Sequence, residues 1–588
     1  LDNTFKWSAY EMIQKCLFNS NYTYEVIMFN AKNLFLYVLS FFLPFALVAK
    51  EVPREKTVIV GSRGITAKEV WSPYLLGGNH QKGVSFFYEP LYFADNLNGH
   101  EYPWLAESHS YNDDATKLTY TIRKGVFWSD GQGFDASDVA FSLKKLSELG
   151  SDVRLGGNYK TFIKDVELLS GTKVVIHFHA PAPRFHDEVI AQKGDSGFFV
   201  VPEHVWSSVD WPQYTNYNDG SGPVTTSPWR LNYSDENRRV LDRVDSCDDY
   251  WGCKTGFINL PEPERYIWLR MEDDTSMASA VIKNEIDQTH DLRVELIQQA
   301  IEKNEFVTTW SGREKGPYGL VSWWPSSLYV NNRDKHLSKA NVRWAISKFI
   351  DRDKVNDFAF ANNGQVSRYP WPAFKGLSNI TASVDSLGVN TNEYNPSDAE
   401  KLMTGAGYTK KRGFWGDASG NKITCNIVAF GIFSDIGPVI AQTLVNAGIE
   451  SSYSEPPDAI DQLTTGKYNC SIFGHNGSQT GSIYTTLSMY TTDNSQNRWG
   501  YSNSAYDEIV TKIATSANQN EIKELTNQAM KIWLTDLPDI PLTEFFNRFA
   551  ISEKYWTNWP TMTTDPYMNG LHLHTGMAYT LFKLKARN

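Results

Sequence analysis

Strand-like and helix-like segments alternate along this chain without a fixed repeat, and this alternation narrows the possible folds more than any other feature. Residues 118–122 alternate apolar and polar side chains, which is typical of a half-buried strand. Val139, Leu143 and Leu146 recur at helical spacing, and Asp135 stands where it can cap the first turn of that helix. Mixed elements without a repeat favour an α/β fold with insertions over an all-α or all-β fold.

The same patterns predict further elements and boundaries. They are strands at 57–61 and 174–178, a turn at 129–132, helices at 341–350, 396–405 and 435–448, a helix starting at 351, a crossover between domains at 538–541 and a last strand near 579–584. Stretches rich in Pro, Gly and Ser near 219–228 and 312–325 mark domain boundaries. A chain of 588 residues is too long for one core, so we expect two or three domains.

An apolar segment near the N-terminus indicates export. Residues 34–49 carry no charge, but they fall short of the roughly 20 residues that a membrane-spanning helix needs. Lys32 and Met28 precede the segment, and Ala49 suits a cleavage site, although Leu47 stands where a small residue is preferred. We therefore predict a signal peptide at 28–49, with residues 1–27 outside the mature protein and a soluble exported chain after it. An uncleaved N-terminal anchor is the alternative.

The cysteines fit an oxidising compartment. Cys16 lies before the predicted signal peptide, which leaves an even set of four. Cys247 and Cys253 flank a short Asp-Asp-Tyr-Trp-Gly stretch and could close a small loop, whereas Cys425 and Cys470 could pair or stay buried and free. The absence of a C-x2-C pair argues against a zinc site built from cysteines.

Several functional classes are not supported. The chain has 56 Lys and Arg against 67 Asp and Glu, and no dense basic run, which argues against nucleic-acid binding. It has no Walker A loop and no G-x-S-x-G elbow, and the S-x-x-K sequence at 142–145 lacks the companion motifs of β-lactamases. His177 with His179, and His572 with His574, could each face a metal from one strand, but neither pair has a third ligand at readable spacing. Nickel transport is thus a minor alternative, and no cofactor is predicted.

Several motifs then occur in an order typical of one family. They are EPL at 89–91, PWLAES at 103–108, LTYTIRKGVFWSDG at 118–131, FDASDVAFS at 134–142, GSGP at 220–223, DYWG at 249–252, VRWAIS at 342–347 and IDRDK at 350–354. With these motifs the chain resembles the large bacterial solute-binding proteins of ABC importers, which bind oligopeptides, dipeptides, nickel or oligosaccharides. The resemblance covers nearly all of the predicted mature chain, and the run at 120–131 is its most specific part.

The resemblance implies an α/β fold with two lobes, a hinge, and an extra subdomain in the N-terminal lobe. It assigns 50–95 and 219–315 to lobe I, 96–218 to its extra subdomain, 316–540 to lobe II, and 541–588 to the return into lobe I with a C-terminal strand. It also implies a periplasmic monomer that does no chemistry, closes on a small ligand, and docks on a permease with its ATPase subunit. A secreted carbohydrate-active enzyme is the hypothesis from another class.

The ligand class is predicted from a departure from the family pattern. In peptide-binding relatives a buried carboxylate binds the peptide's ammonium group, because a buried charge needs a partner. Here neutral Ser478 stands at that place, and Asn469 replaces the usual Asp of the preceding strand. We therefore expect a neutral oligosaccharide, with β-linked gluco-oligosaccharides favoured. An oligopeptide or dipeptide is the alternative, and a cleft carrying a carboxylate and an Arg would favour it.

The aromatic content points in the same direction. The chain has 19 Trp, 30 Tyr and 32 Phe, and indole and phenol rings suit the C–H faces of sugars. Indoles within Pro-, Gly- and Ser-rich stretches are expected near a surface and are candidate platforms: Trp71, Trp323, Trp324, Trp371, Trp499, Trp556 and Trp559. Candidate hydrogen-bonding residues are Asn331, His475, Asn476 and Ser478. A large Trp-rich core is the alternative, and the tryptophans inside family motifs (Trp104, Trp128, Trp251 and Trp344) are expected to be structural.

Overall fold

The computed structural model describes residues 51–587 except for 64–68, 77–82, 96, 192–196, 218–221, 476, 478–480 and 563–574. The predicted signal peptide and the residues before it therefore lie outside the described part of the chain, as do Asn476, Ser478, His572 and His574. Residues Arg54–Asn588 form one unit. Among the described residues, no helix combines the length and the apolar character that crossing a membrane requires.

Hydrophobic cores define the two lobes: we call lobe I the part of the chain whose core residues come from 58–318 and 549–584, and lobe II the part whose core residues come from 328–542. Lobe I contains two four-stranded sheets. Its strands are β1 (Thr57–Ser62), β2 (Tyr92–Asp95), β3 (His100–Pro103), β4 (Ala106–Tyr111), β5 (Lys117–Ile122), β6 (Ile163–Ser170), β7 (Lys173–Phe178), β8 (Trp229–Ser234), β9 (Arg238–Arg243), β10 (Arg265–Arg270), β11 (Val307–Thr308), β21 (Ile551–Ser552), β22 (Trp556–Thr557) and β23 (Lys585–Ala586). One sheet has the order β1-β10-β9-β8, and the other, which lies within the range predicted as the extra subdomain, has the order β4-β5-β7-β6. The strands predicted at 57–61, 118–122 and 174–178 are confirmed as parts of β1, β5 and β7.

The helices of lobe I lie between these strands. They are α1 (Ala136–Leu149), α2 (Gly156–Phe162), α3 (Glu203–Trp206), α4 (Trp251–Lys254), α5 (Asp274–Ile282), α6 (Val294–Lys303) and α16 (Thr575–Leu581). Asp135 caps α1 as predicted, since its carboxylate accepts a 2.7 Å hydrogen bond from the backbone N–H of Ser137. Val139, Leu143 and Leu146 are buried, so the predicted helical face packs into the core.

A buried carboxylate organises the family motifs of lobe I. Glu89 accepts hydrogen bonds from Trp104 Nε1 at 2.8 Å, from the Tyr250 hydroxyl at 2.7 Å and from Trp251 Nε1 at 2.7 Å. Burial raises the pKa of Glu89, and these donors oppose that rise by stabilising the anion. The indoles of Trp104 and Trp251 are thus structural, as the sequence predicts, and so is the buried ring of Trp128.

Among the described residues lobe II has seven strands, and five of them form one sheet. Its strands are β13 (Ser326–Val330), β14 (Thr409–Lys411), β15 (Phe414–Gly416), β16 (Ile427–Val428), β17 (Tyr453–Ser454), β18 (Cys470–Gly474) and β19 (Asp539–Thr543). Its helices are α7 (Ala340–Phe349), α8 (Arg352–Phe360), α9 (Ser378–Asp385), α10 (Pro396–Gly405), α11 (Gly437–Ala447), α12 (Ala459–Thr464), α13 (Ile483–Ser488), α14 (Ser504–Thr515) and α15 (Gln519–Asp536). The sheet order is β17-β16-β18-β13-β19, and every residue of β13, β18 and β19 is buried, so helices cover both faces.

Two short strands connect the lobes. β12 (Leu320–Val321) and β20 (Phe546–Asn547) pair in antiparallel register, with Leu320 opposite Asn547. The chain crosses into lobe II through β12 and returns through β20. The predicted crossover at 538–541 is wrong, because Asp539–Thr543 forms β19 inside the lobe II sheet and pairs with β13.

The predicted strand near 579–584 is also wrong. Thr575–Leu581 forms helix α16, and the last strand, β23, begins only at Lys585. Met577, Leu581 and Leu584 are fully buried in the lobe I core at spacings of four and three. Such spacing places apolar side chains on one helical face, so the helix buries more of this segment than a strand would.

Two disulfides link the four cysteines. Cys247 and Cys253 are bonded as predicted, with their Cα atoms 5.2 Å apart. Cys425 and Cys470, whose pairing the sequence left open, are also bonded at a Cα separation of 5.2 Å. β16, which follows Cys425, lies beside β18, which begins at Cys470, so the lobe II sheet brings the two thiols together.

Candidate functional site

A cavity of about 460 Å³ lies between the two lobes, next to the strands that connect them. Residues of lobe I, of lobe II and of the returning chain near β20 all line it. We call the charged and titratable residues contributed by lobe I the lobe I wall: Arg63, Asp274, His290, Asp291, Arg293 and Glu295. We call the apolar residues contributed by lobe II the lobe II wall: Phe358, Ala359, Phe360, Ile432 and Phe433.

Helix starts position the lobe I wall. Asp274 is the first residue of α5, where the N-terminal end of a helix favours a carboxylate. Arg63, just after β1, forms an ion pair with Asp274, and the Nε of Arg293 lies 4.0 Å from the other Asp274 oxygen. Arg293 and Glu295 flank the start of α6 and are exposed, so their charges face the cavity opening.

Asp291 offers an acceptor that the described residues leave unused. Its Oδ2 accepts a hydrogen bond of 3.3 Å from the Asn547 side chain, while its buried Oδ1 has no hydrogen-bond donor among the described residues. Burial raises the pKa of Asp291 to about 6, against the opposing effects of Asn547, Arg548 and Arg63. The carboxylate is therefore mostly ionised at neutral pH and can accept one more hydrogen bond.

A buried arginine forms the floor of the cavity. Arg548 donates from Nε to the carbonyl of Pro317 at 3.0 Å and from Nη2 to the carbonyl of Asn363 at 3.1 Å. Its guanidinium also lies 4.8 Å from the ring centre of Phe360. Burial lowers the pKa of Arg548 to about 10, so the side chain remains charged at neutral pH.

The lobe II wall exposes apolar side chains. Phe358 is 74% exposed and Ile432 is 52% exposed, although both are large hydrophobic residues. Phe433 is buried behind them and packs on Trp324, with ring centres 5.4 Å apart. Trp324 also packs against Phe545, another lining residue, at 5.7 Å. The wall is therefore an apolar surface with an aromatic layer behind it.

Two carboxyl groups complete the lining. Partial burial raises the pKa of Asp435, the acidic residue on the lobe II side, while Arg293 and Arg548 oppose this rise. Glu544 is only 5% exposed, and burial raises its pKa to about 8, against the backbone N–H of Ala373 that donates to it at 3.3 Å. Glu544 is thus mostly protonated at neutral pH and can donate a hydrogen bond.

Five of the predicted indole platforms lie in the lobe cores. The exposed fraction is 0% for Trp71, 2% for Trp371, 0% for Trp499, 1% for Trp556 and 3% for Trp559, and none of them lines the cavity. Their predicted position near a surface is therefore wrong. The indole N–H groups of four of them are satisfied inside the protein, for example by Glu69 for Trp71, by Thr381 for Trp371 and by the Thr57 carbonyl for Trp556.

Two predicted polar residues are also buried away from the cavity. His475 is fully buried, and its Nε2 lies 2.8 Å from Asp539 Oδ2. The Asn331 side-chain amide donates hydrogen bonds to the carbonyls of Gly466 and Tyr468 and so binds the backbone around these two residues. Neither residue lines the cavity, and their polar groups are used within lobe II.

Trp323 and Trp324 are the predicted indoles that come nearest to the cavity. Both are half-buried, and Trp324 contacts the lining residues Phe433 and Phe545. The charged lobe I wall was missed by sequence reasoning. A signal was present at 291–295, where three charged residues alternate with two apolar ones across the start of α6, and Leu292 and Val294 are indeed buried.

Comparisons with known proteins agree with this architecture. A family model described as bacterial extracellular solute-binding proteins, family 5, matches residues 101–498. The chain is 24% identical to the nickel-binding periplasmic protein of Escherichia coli K12, over 58% of this chain and 60% of the relative. It is also 24% identical to the periplasmic oligopeptide-binding protein OppA of the same strain, over 60% of this chain and 63% of OppA. The chain thus spans a little over half of the length of these curated relatives.

Solved structures show the same fold. A periplasmic oligopeptide-binding protein of Thermotoga maritima aligns with a TM-score of 0.78 and 24% identity, over 91% of this chain and all of that one. Its mannohexaose-bound form aligns at 0.71 with 23% identity over the same shares. NikZ of Campylobacter jejuni, solved with Ni(L-His), aligns at 0.69 with 17% identity, over 91% and 100%. The predicted two-lobed α/β fold is therefore confirmed, and the chain belongs to the bacterial extracellular solute-binding proteins of family 5.

Proposed function

We propose that this protein is the periplasmic solute-binding component of an ABC importer. It captures a small ligand in the cavity between the lobes and delivers it to a membrane permease with its ATPase, and it does no chemistry on the ligand. The observation that carries the proposal is the cavity itself, which residues of both lobes line beside the paired connecting strands β12 and β20. A ligand that touches both walls favours the closed arrangement and so shifts the population towards it.

The ligand that best fits this cavity is an oligopeptide. The lobe I wall carries charges of both signs, as the two ends of a peptide do, and Asp291 Oδ1 is a buried acceptor without a donor among the described residues. The lobe II wall supplies apolar surface for side chains. Several relatives are named for oligopeptide or glutathione binding. The sugar preference drawn from the sequence depended on indole platforms, and five of the seven lie in the cores.

An oligosaccharide is the second candidate, and two observations favour it. Trp324 is half-buried behind the cavity and packs on Phe433 and Phe545, so the apolar wall has an aromatic layer. A structural neighbour from Thermotoga maritima holds mannohexaose. Charged side chains can accept hydrogen bonds from hydroxyl groups or donate hydrogen bonds to them, so the lobe I wall does not exclude a sugar.

Calorimetric titration of the full mature chain distinguishes the two classes. The probes are a pentapeptide with a free amino terminus, the same peptide N-acetylated, glutathione, mannohexaose and cellotetraose. We expect the free pentapeptide to bind and the acetylated one to bind more weakly. Acetylation removes the ammonium group from which Asp291 would accept a hydrogen bond. Binding of an oligosaccharide without any peptide would establish the second candidate instead.

Substitution of Asp291 tests the position of the ligand. We expect Asp291→Asn to weaken peptide binding by roughly 10-fold to 100-fold, because the substitution removes the negative charge that would pair with the peptide's ammonium group. The matched control is Asp113→Asn, which removes an exposed carboxylate on the extra subdomain. Equal affinities for the two variants would show that the ligand does not reach Asp291.

A further inference from the structure

A second cluster of ligand-type side chains lies in lobe I, outside the residues that line the cavity. Glu101 is on β3, His109 is on β4, and His186 begins a short π-helical turn at His186–Ile190. Each offers one ligand atom, and these three atoms lie within 4.8 Å of one another. Three segments that are distant in sequence thus converge on one point.

The strand register and two tyrosine hydroxyls hold the cluster in place. His109 on β4 stands opposite Tyr120 on β5. The Tyr120 hydroxyl lies 2.6 Å from His186 Nδ1, and the backbone N–H of His186 donates to the Tyr111 hydroxyl at 2.9 Å. The rings of His109 and His186 consequently stack, with centres 3.6 Å apart and planes 19° from parallel. The imidazole of His186 is therefore fixed before any ion arrives.

The three side chains differ in the hydrogen bonds that they make. His186 Nε2 lies 3.0 Å from Glu101 Oε2, which forms a carboxylate–imidazole pair. Neither ring nitrogen of His109 makes a hydrogen bond to another described residue. The His186 side chain is 1% exposed and that of Glu101 is 30% exposed, so solvent reaches the cluster from the Glu101 side. His109 thus places an imidazole whose nitrogens make no hydrogen bond to a described residue next to the Glu101–His186 pair.

We propose that Glu101, His109 and His186 bind one divalent transition-metal ion, and that zinc is the ion that fits best. Imidazole and carboxylate are ligands that zinc accepts, and three protein ligands leave the fourth tetrahedral position to water. Two zinc ligands at 2.0–2.1 Å in a tetrahedron lie about 3.3 Å apart, so the Glu101–His186 pair nearly has the required spacing. His109 stacks on His186 with ring centres 3.6 Å apart, so its ring would have to rotate out of the stack, and its nitrogen would have to approach by at most about 1.5 Å, for both imidazoles to point at one ion.

Tyr120 would orient His186 for this role. With the ion on Nε2, the Nδ1–H group of His186 donates a hydrogen bond to the Tyr120 oxygen. Such a partner fixes the tautomer and the ring plane of a metal-bound histidine. The neutral imidazole carries one ring proton in both states, so this proton lies on Nδ1 instead of Nε2 when the ion binds, and the Tyr120 hydroxyl keeps its own proton. The ion would tie β3, β4 and the turn at His186–Ile190 together and so stabilise the extra subdomain.

Zinc titration of the full mature chain, without a polyhistidine tag and after removal of metals by EDTA, tests the proposal. We expect one Zn²⁺ per chain by calorimetry and a higher melting temperature in its presence, because the ion binds only the folded state. Bound Co²⁺ should give the intense visible absorption of a low-coordinate site. Both readouts are independent of any ligand in the cavity.

Three variants make the result specific. Glu101→Gln and His109→Gln should each weaken zinc binding by at least roughly 10-fold, since even residues that only orient metal ligands have effects of that size. The control is His177→Gln, which removes a histidine that also faces a glutamate on the subdomain sheet, Glu167 at 3.0 Å, but that belongs to no three-ligand cluster among the described residues. It should bind zinc like the wild type.

Two results would overturn the proposal. One is the absence of stoichiometric binding at micromolar zinc by the wild-type chain. The other is zinc affinity that is the same in Glu101→Gln, in His109→Gln and in the wild type. Both substituted side chains are partly exposed, so these variants should fold, whereas replacement of the buried His186 could disturb the subdomain.

Discussion

The two walls of the cavity differ in how they can contribute to ligand binding. The lobe I wall carries charged groups in directed positions, such as the Arg63–Asp274 pair and the unused Oδ1 of Asp291. The lobe II wall carries exposed apolar surface at Phe358 and Ile432. Directed polar groups select a ligand by its hydrogen-bonding pattern, whereas apolar area adds affinity without fixing orientation. Lobe I should therefore determine which ligand binds, and lobe II should determine how firmly the cleft closes.

The difference follows from the secondary structure that each lobe presents. The lobe I wall is built around the starts of α5 and α6, where the first backbone N–H groups have no partner within the helix. The Asp273 side chain caps α5, whereas the N-cap residue of α6, Arg293, makes no side-chain cap. Phe358 and Phe360 of the lobe II wall stand in the last turn of α8, and Ile432 lies in a short 3-10 turn at Gly431–Phe433. Three changes test this difference between the two walls. They alter the connecting strands, the buried Glu544 of the cavity lining and the apolar wall.

The largest effect is expected at Gly319, which precedes the connecting strand β12. A Cβ atom there would lie 2.4 Å from the Asn547 carbonyl oxygen on the other connecting strand, a backbone atom that cannot turn away. Gly319→Ala should therefore force β12 and β20 apart, with a loss of about 1–3 kcal/mol in the free energy of unfolding and weaker ligand binding. Denaturant unfolding measures the first effect and calorimetry the second.

The matched control for this change is Gly405→Ala in α10, where an added Cβ would meet nothing within 4 Å. Alanine favours a helix over glycine, so this variant should be at least as stable as the wild type. If Gly319→Ala were as stable as the control and bound ligand normally, the close approach of the two connecting strands would not matter for stability or for ligand binding.

The sequence predicted local structure well where one segment carries the whole signal. Helix α10 begins and ends at the predicted residues, because Asn395 caps it and Pro396 is favoured at a first helical position. The Cys247–Cys253 bond follows from a six-residue spacing that closes a small loop. In both cases the neighbours that decide the structure are adjacent in sequence.

Burial could not be predicted in the same way. Trp71 lies in a loop rich in polar and turn residues, yet its ring packs edge-on against Phe87 at 5.2 Å and beneath Arg239 at 4.9 Å. The partners that bury it come from distant segments. The residues next to Trp71 in sequence therefore indicate a loop, but they do not indicate whether its ring is buried. The residues that line the cavity were missed for the same reason, since its walls assemble from residues as far apart as Arg63 and Arg548.

A change in stability that is smaller for each pH unit is expected from pH through Glu544. Its pKa is about 8 in the folded protein and near 4.5 when unfolded, so the folded state binds more protons between these values. Stability should therefore fall as the pH rises from about 4.5 to about 8, by at most about 1.4 kcal/mol per pH unit for this group. Glu544→Gln keeps the shape without the charge.

The measurement is the free energy of unfolding across this pH range for the wild type and for Glu544→Gln. The free energy of unfolding of the variant should fall less steeply with rising pH, because Glu544 no longer contributes. Relative to the wild type, the variant should be more stable near pH 8 than near pH 4.5. The same slope in both proteins would show that Glu544 is not held protonated beside the cavity. Asp291, whose pKa is raised to about 6, should add a slope of the same sign only below about pH 6.

The smallest effect is expected at Phe358. Because this side chain is 74% exposed, Phe358→Ala should change the free energy of unfolding by less than about 0.5 kcal/mol. Ligand binding should weaken by roughly 3-fold to 10-fold, since closure would bury part of the ring against the ligand. Calorimetry with a peptide series should show this loss to be similar for all sequences, whereas the loss in Asp291→Asn should depend on the free amino terminus. If Phe358→Ala instead changed the ranking of the peptides, the apolar wall would also contribute to selection, and the division of roles between the lobes would not hold.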